Sequence, residues 1–299
     1  MKLKMKKVAF EGWKNCVEIA SGDFRLIVTT DVGPRIIGGF LGKNGKNIFH
    51  VDPKLAGKSG GDKWVNYGGH RLWHSPEIKE RTYVPDNDPI QVVKLGDDGV
   101  SFIMEEPECT GLTKTLDIFP LGDNMFRIEH GIENDGLWAM ECAPWAISVM
   151  APGGTAVVPQ NPETTGLLPS KFMAVWPYTK MNDSRITWGD QFVMVKQKSA
   201  KGTKPLKIGM NCEGGWIAYI NNGLAFTKSA DFYTDEVYPD NNCNVEIYTC
   251  ADMLEAETLG PLCRLEPGDK VVHTEIWTLF PVDGTVKNEK DAAKLLGID

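Results

Sequence analysis

Chemistry-bearing side chains are densest in Tyr67-Gly68-Gly69-His70-Arg71-Leu72-Trp73-His74-Ser75-Pro76-Glu77. His70 and His74 stand four residues apart, the spacing of two zinc ligands on one helix face. Gly-Gly before them and Ser-Pro after them oppose a helix, and no third ligand is indicated, so no metal is expected. Read as a loop at a strand end, the segment offers the Arg71 guanidinium, two imidazoles, the Glu77 carboxylate and the Trp73 indole. Such groups can hydrogen-bond to and stack on a polyhydroxylated ring. A plainer reading stays open at the same residues: the glycines make a tight turn, Trp73 is core, and a histidine satisfies buried backbone groups.

A second cluster, Met253-Leu254-Glu255-Ala256-Glu257-Thr258-Leu259-Gly260-Pro261, follows the strand-like NVEIYTC. On a strand Glu255 and Glu257 share one face and Leu254 and Ala256 the other. Two crowded carboxylates raise one another's proton affinity, which keeps one acid protonated near neutrality and leaves the other as a base. A solvent-facing strand would explain the same pair. Arg35, after the Gly33-Pro34 turn, is placed to reach a ligand hydroxyl or to sit on the surface. Trp145 is placed to stack on a sugar face or to fill the core. Lys228 and Tyr238 are lesser candidates, and Asp240-Asn241-Asn242 lacks the spacing of a calcium loop and reads as a turn.

The elements that must position these groups read as strands. Short β-branched and aromatic runs alternate with Gly, Asn, Asp and Pro from residue 15 to about 280. In DFRLIVTT, Phe24, Leu26 and Val28 alternate with Arg25, Ile27 and Thr29; Phe126, Ile128, His130 and Ile132 share a face after the turn Gly122-Asp123-Asn124. IQVVKL and VSFIME flank Gly96-Asp97-Asp98-Gly99, and WIAYI and LAFTK flank Asn221-Asn222-Gly223, both hairpin signals. Only VKNEKDAAKLLGID reads as helix, with Val286, Ala293 and Leu296 on one stripe and Gly297 as its stop. The Gly-, Pro-, Ser- and Thr-rich stretch from Pro152 to Pro177 is either a boundary or loops over a binding face. One domain over 1–299 is the preferred reading.

Composition narrows the function classes. A net charge of −8 and pI near 5.3 oppose binding of a polyanion along the whole surface, so no nucleic acid is expected. No run of about 18 apolar residues occurs, so no membrane span is expected. MKLKMKKVAFEGWKN lacks the apolar stretch of a secretory signal, which points to the cytoplasm. The seven cysteines are scattered without a Cys-x-x-Cys pair and are expected as reduced thiols. Nothing indicates the oligomeric state.

Taken in order, GPRIIGGF, GGHRLWHSPE, IEHGIEN with APWAISVMAPGG, MLEAETLGPL and HTEIWTLFP resemble the galactose mutarotase-like (aldose 1-epimerase-like) superfamily, closest to a branch carrying Leu-Glu-x-Glu-Thr-Leu-Gly-Pro. The resemblance implies an all-β antiparallel supersandwich, two large packed sheets with a small-molecule carbohydrate site on a concave face. It also implies an isomerase that needs no cofactor: a late-strand glutamate takes the anomeric hydroxyl proton and a histidine protonates the ring oxygen. By position the base is Glu257, with Glu255 the close alternative. His70 lies where the family has a His-Gly-Gly loop, with Gly and His in reversed order. The family's second histidine, after an Asn, has no counterpart here, where Asn134 is followed by Ala143-Pro144-Trp145. The acid then falls to His70 or His74, with Arg35, Arg71, Trp73, Glu77 and Trp145 as substrate contacts. Two alternatives accompany this: glycoside cleavage between Glu77 and Glu257, and sugar binding without catalysis.

Overall fold

The computed structural model of the chain describes residues 2–104, 109–162 and 164–298. Two large antiparallel sheets pack face to face, as the alternating sequence requires of strands that must bury an apolar face. The first sheet runs Met5–Phe10, Trp13–Ser21, Phe24–Thr29, Arg35–Leu41, Gly69–Ser75, Met140–Met150, Leu254–Leu259, Val245–Thr249, Leu206–Met210, Met173–Val175, with Cys263–Leu265 beside Met140–Met150. The second contains Thr155–Pro159, Leu112–Gly122 and the central pair Met125–Asn134 and Lys270–Pro281. Phe24, Leu26 and Val28 from the first sheet meet Phe102, Leu116 and Phe126 from the second in one core, with the Phe24 and Phe126 rings edge to face at 5.2 Å.

The first sheet is buried on its outer face too. Ile27 and Ile37 turn away from the core toward Trp13, Val32 and Tyr67, so DFRLIVTT is apolar on both sides and not on one. Both expected hairpins form, Gln91–Leu95 with Gly99–Met104 and Trp216–Asn221 with Leu224–Ala230; Glu105 of VSFIME lies outside the described residues. Asn222 and Gly223 make the second turn at φ 51° and 74°. The Pro152–Pro177 stretch is no linker, since Thr155–Pro159 joins the second sheet and Met173–Val175 the first.

Apart from single turns, Glu289–Leu296 is the helix of the described residues. The Asn288 side chain caps it by accepting from the Asp291 amide, and Gly297 ends it at φ 67°. Ala292, Ala293 and Leu296 seat it on Val157, Met194 and Ala218 of the second sheet. No described helix is long and apolar enough to cross a membrane. All seven cysteines are free thiols.

Candidate functional site

The segment richest in functional groups is a strand, not a loop. Gly68 and Gly69 lead into it at φ 88° and 71°, and a Cβ on Gly69 would lie 2.3 Å from the Ile36 carbonyl oxygen. From there Gly69–Ser75 pairs with Met140–Met150 in unbroken register, so its side chains alternate strictly between faces. Arg71 and Trp73 point outward from the sandwich. His70, Leu72 and His74 point inward, toward the second sheet.

The Leu254–Leu259 strand obeys the same rule on the far side of Met140–Met150. Glu255 and Glu257 face outward while Leu254, Ala256 and Thr258 face in. Each acid has its own cation. Arg71 Nη2 donates to Glu255 Oε1 at 3.0 Å, and its guanidinium lies over the Trp73 ring at 4.4 Å and the Trp64 ring at 5.4 Å. Lys207 Nζ stands 3.1 Å from Glu257 Oε2 and 2.7 Å from Glu246 Oε2, between the rings of Trp145 (4.4 Å) and Trp176 (4.8 Å). Trp145 Nε1 donates to the same Glu257 oxygen at 2.8 Å. Glu246 is the direct cross-strand partner of Glu257, so two carboxylates share one ammonium.

Arg71, Glu255 and Lys207 floor a cleft of about 430 Å³ on the outer face of the first sheet. Trp64, Trp73, Tyr83 and Trp145 wall one side, Trp176, Tyr178 and Tyr248 the other, and Glu77 stands at the rim, accepting from the Tyr83 hydroxyl. Arg71 Nη1 and Nε have no hydrogen-bond partner among the described residues. Glu255 lines the cleft, and among the described residues only its Oε1 is held. Burial foremost, with Glu257 adding, raises its proton affinity above the ordinary carboxylate range despite Arg71. Burial likewise raises Glu246, well above that range and against the pull of Lys207. Burial alone would lower Lys207, but Glu257 and Glu246 outweigh it and hold the ammonium charged. The Tyr178 phenol is pushed up to about 12 by burial and keeps its proton. Glu257 is fully buried, below the floor and behind Trp145 and Lys207.

The inward histidines belong to a separate network between the sheets. His130 Nδ1 lies 2.9 Å from the His273 carbonyl, which can only accept, so the neutral ring offers Nε2 as acceptor to His70 Nε2 at 2.7 Å. His70 Nδ1 in turn accepts from Ser148 Oγ at 2.9 Å. Glu275 accepts from Lys228 (2.8 Å), from Trp277 Nε1 (2.7 Å) and from Thr258, whose oxygen also meets His273 Nε2 at 2.9 Å. His70, His130 and Glu275 bring ligand-type atoms within 4.8 Å of one another, but Lys228 already supplies the cation for Glu275 and the imidazoles bond each other. His74 is fully buried with neither ring nitrogen bonded among the described residues; burial, then Lys114 and Arg81, lower it to about 2.

The structure therefore brings together Arg71, Trp73, Glu77, Trp145 and Glu255, with Glu257 just beneath. It does not bring His70 or His74 to them: they leave the opposite face of the same strand, so neither can serve as acid in this cleft. Glu77 and Glu257 do not face each other across it either, because Glu257 is covered. Arg35 is fully buried beside the cleft, ion-paired with Asp86 and donating to the Gly68 carbonyl at 3.1 Å. Lys228 is spent in the interior, Tyr238 is buried with its hydroxyl accepting from the Tyr233 amide, and Asp240-Asn241-Asn242 is a left-handed turn. Sequence reasoning missed Lys207, Glu246, Tyr248 and Tyr178. The signal for the first three was present: each is a polar or amphipathic residue alternating with Leu206, Ile208, Val245 and Ile247 in an otherwise apolar strand.

No protein-family model matches the chain, and no curated protein matches it in sequence. Solved structures do. Slr1438 from Synechocystis sp. PCC 6803 superposes with a TM-score of 0.57 at 14% identity, covering 92% of this chain and 99% of its own. A galactose mutarotase-like protein from Lactobacillus casei gives 0.58 at 11% identity, covering 89% and 100%. An aldose epimerase homologue from C. elegans gives 0.53 at 15% identity, covering 90% and 99%. At these identities the likeness establishes the fold, and the fold is galactose mutarotase-like.

Proposed function

We propose that the cleft binds a sugar ring and that Glu255 moves a proton on it in an aldose epimerase-like reaction. The observation that carries this is the Arg71–Glu255 pair in a cleft walled by seven aromatic side chains. Aromatic faces complement the C–H faces of a pyranose, and the pair supplies oriented charge at its hydroxyls. A carboxylate with raised proton affinity is a stronger base than an ordinary one, which favours taking a hydroxyl proton. Glu255 takes the anomeric hydroxyl proton as the bond between the anomeric carbon and the ring oxygen breaks, and the ring oxygen takes a proton from a donor of the same cleft, the Lys207 ammonium or the Tyr178 hydroxyl, which gives the open-chain aldehyde and hydroxyl. Rotation and reclosure return both protons to their donors, and the chemistry calls for no cofactor.

Saturation-exchange NMR across a panel of aldoses tests the proposal. Glu255→Gln is expected to slow interconversion by about 10²–10⁴-fold while ligand binding persists. If no sugar interconverts faster than in buffer, or if Glu255→Gln changes nothing, the catalytic reading is wrong. The inward placement of both histidines favours a second reading, sugar binding without turnover, for which calorimetric binding with no exchange is the signature.

A further inference from the structure

We propose that the cleft is the middle of a longer groove that takes a linear acidic oligosaccharide, with the carboxylated or sulfated end of the chain over a basic arm. The proposal rests on reading the cleft as a carbohydrate site. From the Arg71 strand to the Lys207 strand the floor crosses five neighbouring strands, four spacings of ~4.8 Å or roughly 19 Å, several times the width of one pyranose. Both ends are open. Past Trp64, Glu77 and Tyr83 it continues into a depression of about 670 Å³, and past Tyr178 and Pro205 into another of about 440 Å³. Aromatic side chains therefore stand at both junctions, where consecutive rings of a chain would pass.

The two ends differ in charge. At the Trp64 end Asp62 and Glu77 balance Lys63 and Lys79. At the Tyr178 end Lys180, Lys198, Lys201 and Lys204 are exposed, and none has a carboxylate within ion-pair distance among the described residues. Asp183 there is taken by Arg185, through Nε and Nη2 at 2.9 Å each. Four free ammonium groups on a chain of net charge −8 form a local anion-binding surface. Between the two ends the charged lining of the cleft is balanced, Arg71 and Lys207 against Glu77 and Glu255, so the anion preference is confined to the Tyr178 end, and a chain charged at one end fits better than a nucleic acid with a phosphate at every step.

Titration calorimetry with galactose, tetragalactose, and tetragalactose carrying a single terminal uronate or a single terminal 6-O-sulfate separates the terms. Tetragalactose is expected to bind at least about tenfold more tightly than galactose, and an acidic tetramer about tenfold more tightly again, with the second factor shrinking as salt rises. Whichever acidic tetramer leads identifies the carboxylate or the sulfate as the preferred group. In Lys201→Ala/Lys204→Ala the ratio of acidic to neutral affinity falls toward one, and in Trp64→Ala the ratio of tetramer to monomer falls. Equal affinities for acidic and neutral tetramers, equal affinities for tetramer and monomer, or tighter binding of single-stranded DNA than of any tetramer would each overturn the proposal. Galactose turnover without length or charge preference removes this proposal alone; acidic tetramer binding without aldose exchange removes the epimerase reading alone.

Discussion

Glu255 and Glu257 are two residues apart on one strand, yet their surroundings assign them different work. Glu255 opens on the cleft with one oxygen unheld, whereas Glu257 is roofed by the indole and ammonium that bind it. Glu257→Gln is therefore expected to act on stability and on the placement of Lys207, and Glu255→Gln on proton exchange, a difference that thermal melts and exchange NMR on the two variants will show. Lys207 is the more sensitive residue, because it is the shared cation of two buried carboxylates. Lys207→Met leaves both uncompensated and is expected to cost about 3–5 kcal/mol, read from the urea midpoint; adding Glu246→Gln and Glu257→Gln should recover most of it. A hydrophobic loss alone would not be recovered that way. Nothing in the residue types distinguishes the two acids. Their difference comes from Trp145 and Lys207, which approach from strands far away in sequence.

At the scale of the strand, the decisive fact is a period of two applied to Gly-His-Arg-Leu-Trp-His. Once these residues are a strand, His70 and Arg71 cannot serve one site, and it was the reading of the segment as a loop that placed them together. The evidence for a strand lay in the residues: Leu72 between Arg71 and Trp73 is the inward neighbour of the two histidines. Alternation was read correctly at Glu255 and Glu257, at Phe126 to Ile132 and at both hairpins, and the β architecture followed from it. Which face of a strand looks onto a cleft depends on the order of strands in the sheet, and no local pattern encodes that order. The entry to the strand is testable. Gly69→Ala puts a Cβ against the Ile36 carbonyl at a φ that L-residues rarely adopt, so a loss of about 1–3 kcal/mol or more is expected from chemical denaturation. Ligand affinity should fall with it, because Gly69 sets the register of Arg71.

For the molecule as a whole, all five histidines have lowered proton affinity, with burial the first cause in each; His273 falls to about 3 and His74 to about 2. Below pH ~6.5 the unfolded chain binds protons at these imidazoles that the folded chain refuses, so stability is fully present above that pH and falls as the pH drops, by about 1.4 kcal/mol per unit for each fully depressed group. Glu246 and Glu255, whose affinities are raised, act in the opposite sense above the ordinary carboxylate range, but two carboxyls oppose five imidazoles. Urea midpoints should therefore drop steeply between pH 6.5 and 5, and a His74→Phe variant should show a shallower drop than the parent. The same buried layer has a mechanical side. Thr258, one residue from Glu257, is gripped from behind by His273 and Glu275, so the strand that presents the acids is bonded to the second sheet through buried groups. The cleft floor is consequently stiff, and a ligand pressing on it meets a surface that does not yield. Amides of Leu254–Leu259 should exchange with deuterium only through global unfolding, while the Trp64 and Tyr178 walls exchange through local opening, so adaptation to different ligands falls to the walls.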